Sequence, residues 1–182
     1  TAHELGHKRE KLDRWLSRFA LAQSAYGHFY VEHNRGHHRW VSTPEDLASS
    51  RLGESFYRFL PRTVIGSFRS AWKLEVTRLT NRKLPVWSRH NDVLVGAAIT
   101  VVLFGAVVAA FGPIMVPVLI AQAIVGFSLL EIINYIEHYG LLRQKKPSGH
   151  YEACQPEHSW NANHVVSNLL LYQLQRHSDH HA

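Results

Sequence analysis

The sequence predicts an all-α, integral membrane helical bundle, and three observations predict it. Between Asp92 and Glu131 lie 38 consecutive residues without a charge, broken near the middle by Gly112, Pro113 and Pro117. The 182 residues include 14 histidines, grouped rather than scattered, a bias that points to metal binding. The formal net charge of +6 is concentrated beside the apolar run: nine Lys or Arg stand between Arg51 and Arg89, against Glu54 and Glu75.

The rest of the composition narrows the class. With 46% apolar residues, five Trp and eight Phe, a single domain of this length has ample material for a core, and the chain is neither disordered nor fibrous. A basic balance alone fits a nucleic acid, an anionic membrane or an acidic partner. A basic run that leads straight into an apolar stretch fits the membrane and not a nucleic-acid arm. Cys154 is the only cysteine, which excludes an internal disulfide framework, a Cys-x-x-Cys redox pair and a thiolate metal site. Any metal therefore takes nitrogen or oxygen ligands. The chain has no initiator Met and no signal peptide, and histidine patterns already stand in its first seven and last six residues, so an internal piece of a longer protein is expected.

Taken in order, His3 to Tyr30 reads mainly as helix, with Trp15, Leu16, Phe19, Ala22, Tyr26 and Phe29 at spacings of three and four. Its basic start, Lys8, Arg9, Lys11 and Arg14, belongs in water. Ser49 to Thr80 reads as a second amphipathic segment: Leu52, Phe56, Phe59, Leu60, Phe68 and Trp72 alternate with Arg51, Arg58, Arg62, Arg69 and Lys73, a pattern suited to lying along a membrane surface. The apolar run divides into two spans, 93–112 and 114–134, each close to the ~20 residues needed to cross a hydrocarbon core of about 30 Å. A buried hairpin of a soluble protein is the alternative, but soluble cores rarely run this far without a charge. Arg78, Arg82, Lys83 and Arg89 precede the hairpin and Arg143, Lys145 and Lys146 follow it, which puts both ends on the cytoplasmic side and the Gly112-Pro113 turn on the other. Gln144 to Asn163 reads as a loop, and Val165 to Gln175 as a helix that leads into the last histidines. The expected organisation is one domain over 1–182: cytoplasmic helices over 1–92, the hairpin over 93–134 and a cytoplasmic segment over 135–182.

Three clusters carry the chemistry: His3-Glu4-Leu5-Gly6-His7, Glu32-His33-Asn34-Arg35-Gly36-His37-His38, and His177-Ser178-Asp179-His180-His181. In each, two histidines fall three or four residues apart, which on a helix stacks both rings on one face. The first cluster also matches the zinc metalloprotease pattern of two His ligands and a Glu base, but that reading leaves the other six clustered histidines unexplained. His138, in Asn134-Tyr135-Ile136-Glu137-His138-Tyr139-Gly140-Leu141, ends the second span on the side where the clusters gather. A lone His at a helix end is ordinarily an interfacial residue; this context makes it a ninth candidate ligand. His28, His90, His150, His158 and His164 stand singly and read as surface or supporting residues. Glu4, Glu32, Glu137 and Asp179 adjoin candidate ligands, and ligating rings usually donate their second N–H to a carboxylate or carbonyl. Imidazole suits Zn, Cu, Fe and Ni alike, so spacing does not choose the metal.

The segments HELGHK, EHNRGHH, NYIEHYGL and LQRHSDHH resemble the signature segments of the membrane-bound alkane hydroxylases, the alkane 1-monooxygenases, which are relatives of the membrane fatty-acid desaturases. The three-box pattern alone would fit the wider desaturase and hydroxylase superfamily; the last two segments are more particular to alkane and xylene monooxygenases. The resemblance implies a six-span bundle of which this chain holds the last two spans, in the bacterial inner membrane, with its active site on the cytoplasmic side. It implies a non-haem di-iron centre in which His3, His7, His33, His37, His38, His138, His177, His180 and His181 hold two iron ions, with no separate acid or base assigned. With O2 as co-substrate, the terminal carbon of an n-alkane would become a primary alcohol.

The chain carries no flavin or nicotinamide fingerprint and no cysteine set for an iron–sulfur centre, so electrons must come from outside. The resemblance implies rubredoxin as donor, served by an NAD(P)H-dependent rubredoxin reductase, and the basic run through Arg58, Arg62 and Arg69 is where an acidic partner would be steered. A fatty-acid desaturase or hydroxylase, or a xylene-type monooxygenase, is the alternative enzyme on the same scaffold. A metal transporter would need polar groups in the spans, and only Thr100, Gln122 and Ser128 are polar between Val93 and Leu130.

Overall fold

The computed structural model describes residues 2–7, 10–162 and 164–170. Helix α1 (Ala2–His7) precedes α2 (Lys11–Ala22); α3 (Phe29–Glu32) runs into a π-helical turn (His33–His37) and α4 (His38–Trp40). The long α5 (Phe56–Asn81) precedes two apolar helices, α6 (Asp92–Phe111) and α7 (Met115–Glu137). A 3-10 turn (Pro156–His158) and α8 (Val165–Leu170) follow. The described residues contain no strand, only an isolated bridge between Lys145 and Tyr151.

The hairpin forms where the apolar run places it. Asn91 caps α6, its side-chain oxygen accepting from the N–H groups of Val93 (3.0 Å) and Leu94 (3.3 Å), which satisfies two donors that a helix start leaves open. Gly112 ends α6 at φ 86°, a left-handed backbone that glycine adopts without strain. Pro117 falls in the first turn of α7, where its missing N–H is not needed. Only 11% of the most apolar window of α6 and 17% of that of α7 is buried within the chain. A soluble core helix would be mostly covered; these two are long and apolar enough to cross a membrane and present their apolar faces outward.

The reading of His3 to Tyr30 as mainly helix meets a break that the spacing does not signal. Between α2 and α3 the chain turns over Gln23–His28, with Ala25 at φ 50° and the Ser24 hydroxyl donating to the Leu21 carbonyl at 2.9 Å. Tyr26 and Phe29 still point inward across the turn, both buried, so the periodicity persists although the helix does not. The second amphipathic segment becomes helical only from Phe56; Val41–Ser55 is irregular.

Among the described residues, those of Thr1–Gly36 and Ser67–Leu129 make one compact unit and those of His37–Gly66 and Leu130–Ala182 another. The interior of the first is largely apolar, with Leu21, Ala22, Tyr26, Phe29, Val31, Ala71 and Leu79 buried. Glu75 is a buried anion in it, accepting from Arg35, from Arg78 (2.8 and 2.6 Å) and from the Asp92 backbone N–H (2.8 Å). Asp92 in turn accepts from Arg18 (2.6 Å) and Arg35 (3.0 Å). Burial opposes ionisation of Glu75, but the hydrogen bonds from Arg78 and Asp92 and the charge of Arg35 outweigh it and hold its carboxyl below the usual range.

The second unit packs Val41, Ala48 and Phe59 in its interior and adds an unusual number of buried polar contacts. Ser42, Thr43, Asp46, Ser49, Ser50, Thr63, Glu131, Asn134 and His158 are all buried in it. The Ser42 hydroxyl donates to the His158 carbonyl (2.8 Å), the Ser50 hydroxyl to the Tyr135 carbonyl (2.6 Å), and Arg62 clamps Glu54 (2.7 Å) and the carbonyls of Leu47 and Ser49 (3.1 Å each). Buried polar groups persist only when paired, so this unit's sequence is tied closely to its geometry.

Candidate metal centre

In the first unit, His7 closes α1 and His33 opens the π-helical turn. Their rings meet edge to face with centroids 5.1 Å apart, and each offers a ligand nitrogen within 4.8 Å of the other's. The first and second histidine clusters are thus brought together. Phe29, one turn before His33, stacks on its ring at 4.8 Å and fixes its plane. His3 stands on α1 one turn before His7.

A Cβ on Gly36 would clash with a Glu32 carboxylate oxygen, so glycine in the π-helical turn leaves room for the buried end of the Glu32 side chain, which would have to swing aside for a larger residue. The turn also alters which histidines share a face. Five residues of regular α-helix carry the chain about 140° beyond a full turn, whereas a π turn closes between i and i+5.

In the second unit, His37 and His138 are almost fully buried and their rings meet edge to face with centroids 4.8 Å apart. The His37 ring also lies 6.1 Å from that of His38. His138 follows directly on α7, its N–H still bonded to the Asn134 carbonyl at 3.3 Å. Behind His37, the buried Asp46 carboxylate lies 2.9 Å from Nδ1. With Nδ1–H donating there, the lone pair of the neutral ring is at Nε2, the nitrogen left for a metal. Asp46 is itself held by the Ser49 hydroxyl and the Ala48 N–H. Burial opposes its ionisation, but the hydrogen bonds of His37 and the Ser49 hydroxyl, with the positive charge that His37 carries when it is protonated, outweigh this and keep the carboxyl below its ordinary range.

A bound metal asks for clustered neutral imidazoles, shielded from bulk water and oriented from behind. The described residues fit: two ring pairs, mostly buried, one with a carboxylate on its outer nitrogen. His177, His180 and His181 lie outside the described residues. His158, read from sequence as a surface or supporting residue, is buried and structural: its Nδ1 accepts from the Gln155 N–H (2.9 Å) and its Nε2 faces Glu152 (3.3 Å). His90, His150 and His164 are exposed, and His28 is half-buried between the rings of Tyr26 and Phe68.

Sequence reasoning did not single out Asp46 as a partner of a candidate ligand, because nothing in the spacing of a loop aspartate nine residues on from His37 announces the contact. Glu131 is another. It served only to mark the end of the apolar run, yet it is buried in α7, accepting from the Thr63 hydroxyl (3.1 Å) and the Asn134 amide (3.2 Å). A carboxylate inside an apolar helix is itself a signal of function.

Comparison with known proteins places this geometry in a family. The chain is 56% identical to alkane 1-monooxygenase 1 of Alcanivorax borkumensis and 55% identical to the alkane 1-monooxygenase of Pseudomonas putida, over 100% of this chain and 45% of each relative. It is 28% identical to the xylene/toluene monooxygenase hydroxylase component of Pseudomonas putida, over 99% of this chain and 47% of that protein. The chain therefore spans somewhat less than half the length of the relatives it matches. The profile of the Fatty acid desaturase family matches residues 1–182, and with its helical fold, two membrane-competent helices and buried histidine pairs, the chain belongs to that family.

Proposed function

We propose that this chain is the catalytic portion of a membrane monooxygenase that hydroxylates the terminal carbon of n-alkanes with O2. The observation that carries the reading is the pair of buried imidazole groupings, His7 with His33 and His37 with His138 and Asp46, in a chain at least 55% identical to two alkane 1-monooxygenases. The lower identity to the xylene/toluene component, 28%, favours a linear alkane over an aromatic substrate.

The proposed ligand set is His3, His7, His33, His37, His38, His138, His177, His180 and His181, holding two irons. When bound, iron supplies the activation of O2 that puts one oxygen atom on carbon and releases the other as water. The chain's residues do the rest. Phe29 and Asp46 fix the planes of His33 and His37; the largely apolar α6 and α7 suit a substrate that, like an alkane, offers no polar handle and partitions into the bilayer. The spans deliver the substrate from the bilayer, and the histidines at their base stay within reach of a soluble electron donor on the cytoplasmic side of the inner membrane. The organisation 1–92, 93–134 and 135–182 belongs to this reading, with the histidine clusters of the first and last segments on the cytoplasmic side.

Rubredoxin, reduced by its NAD(P)H-dependent reductase, is the proposed donor. Of the cations that would steer it, Arg62 is committed to Glu54 and to two loop carbonyls, which leaves the exposed Arg58, Arg69 and Lys73. The family also favours a second reading, desaturation or hydroxylation of an acyl chain. Product analysis with the full-length protein in membranes separates them: 1-octanol from n-octane supports the hydroxylase, and an alkene from an acyl substrate with no alcohol from octane overturns it.

A further inference from the structure

We infer that the segment joining the first two histidine clusters is a re-entrant loop, carried by α2 and α3 into the bilayer to about its mid-depth, where its outer face contacts lipid acyl chains. The inference rests on α6 and α7 crossing a bilayer and not on the reaction catalysed.

Two of the three polar residues between Val93 and Leu130 are engaged by this loop. The Thr100 hydroxyl lies between the Ala22 carbonyl at 3.3 Å and the Gly96 carbonyl of its own helix at 3.2 Å, and the Gln122 amide donates to the Gln23 carbonyl at 3.0 Å. The Ala22 carbonyl accepts the Ala25 N–H as well, at 3.1 Å, whereas the Gln23 carbonyl lies just past the end of α2, where intrahelical donors run out; irregular backbone at membrane depth is tolerated only where protein satisfies it. Two glycines in the spans make room for the same loop. A Cβ on Gly96 would lie 3.1 Å from the Gly27 Cα, and one on Gly126 would lie 2.8 Å from the Ser24 Cβ, the close approach that small residues allow between membrane elements.

Both spans give the same depth. Thr100 is eight residues beyond Asp92, about 12 Å along α6, and Gln122 is nine residues before Glu131, about 14 Å along α7 at 1.5 Å per residue. Half of a hydrocarbon core of about 30 Å is about 15 Å. The surface end of the loop is marked too. Arg18 reaches back to Asp92 at the start of α6 (2.6 Å) and lies over the Trp15 ring at 5.1 Å, the arrangement of a snorkelling arginine and an interfacial tryptophan. Lys11 and Arg14 lie farther out, and the exposed Leu16 and Phe19 farther in. Below them Tyr26 stacks on Phe127 of α7 (5.6 Å) and on Phe29 (5.8 Å), which stacks on His33. The loop thereby joins the interior of the spans to a candidate ligand.

The test uses the full-length protein in lipid bilayers, with Cys154→Ser and no other cysteine, carrying a nitroxide in turn at Lys11→Cys, Phe19→Cys and Ala25→Cys. Val102→Cys serves as the mid-span reference and Arg82→Cys as the aqueous one. The ratio of collisional access by oxygen to that by a water-soluble nickel complex rises with depth. A rise from Lys11 through Phe19 to Ala25, with Ala25 matching Val102, is expected. Ala25 and Phe19 both matching Arg82 would place the loop in water and overturn the inference. An aqueous value at Val102 would instead show that α6 is not a span, and the inference would fall with it, whatever the enzyme's product.

Discussion

At the scale of single residues, the carboxylates define the account as much as the histidines do. Asp46 touches no other candidate ligand's ring plane in the way Phe29 touches His33; it acts through Nδ1 of His37. Removing such a partner ordinarily costs roughly 10-fold to 100-fold in metal affinity or activity. Asp46→Asn is therefore expected to lower metal retention and turnover by about that much, read by metal analysis and turnover on one preparation, while metal content equal to the parent's would contradict the role. Glu75 gives a pH dependence. Its folded pKa is depressed by Arg78, Asp92 N–H and Arg35 against burial, so its contribution is present above the unfolded value of a glutamate and is lost as pH falls through the folded one. Acid unfolding should therefore shift in Glu75→Gln: the variant is less stable at neutral pH, by about 2 kcal/mol, and loses less on acidification. A parallel pH profile for variant and parent would refute the assignment.

At the scale of elements, glycines show where local geometry is imposed by a neighbour. Gly36→Ala puts a methyl group where the carboxylate end of Glu32 lies, and should displace that side chain at a cost of roughly 1 kcal/mol and lower metal retention. Gly105→Ala, in α6 with nothing within 4 Å of the added carbon, should leave both unchanged; equal effects from the two substitutions, read by thermal denaturation and metal content, would show that the turn has no special status. The helices that the sequence announced most clearly are those whose signal is continuous. The spans read as 93–112 and 114–134 are α6 and α7, with ends differing by up to three residues. The bend at Gln23–His28 was not legible because Tyr26 and Phe29 keep helical spacing across it, and the features that make it, Gly96, Gly126, Thr100 and Gln122, lie far off in sequence. The π-helical turn was hidden for a similar reason, since Gly36 in a histidine cluster does not announce that a glutamate occupies its side-chain space.

At the scale of the whole molecule, two apolar helices with exposed faces occur in a chain that has a histidine pair in each of its units, and the histidine segments that made this legible are short, local and separately spaced. Their pairing, His7 with His33 and His37 with His138, is a tertiary fact that spacing alone does not contain. The partner surface belongs to this scale as well: reversing Arg58 and Arg69 to Glu should lower turnover with rubredoxin and weaken its salt dependence, and kinetics unchanged at low and high salt would remove these residues from the docking surface. The central claim is that these histidines hold a di-iron centre that hydroxylates alkanes. It is tested most directly on the full-length protein in membranes, by measuring iron content together with conversion of n-octane to 1-octanol, given O2, rubredoxin, its reductase and NADH, in the parent and in His138→Ala. The account predicts about two irons per chain with alcohol formed in the parent, and loss of both in the variant. Zinc in place of iron, or full iron and undiminished alcohol in His138→Ala, would contradict it.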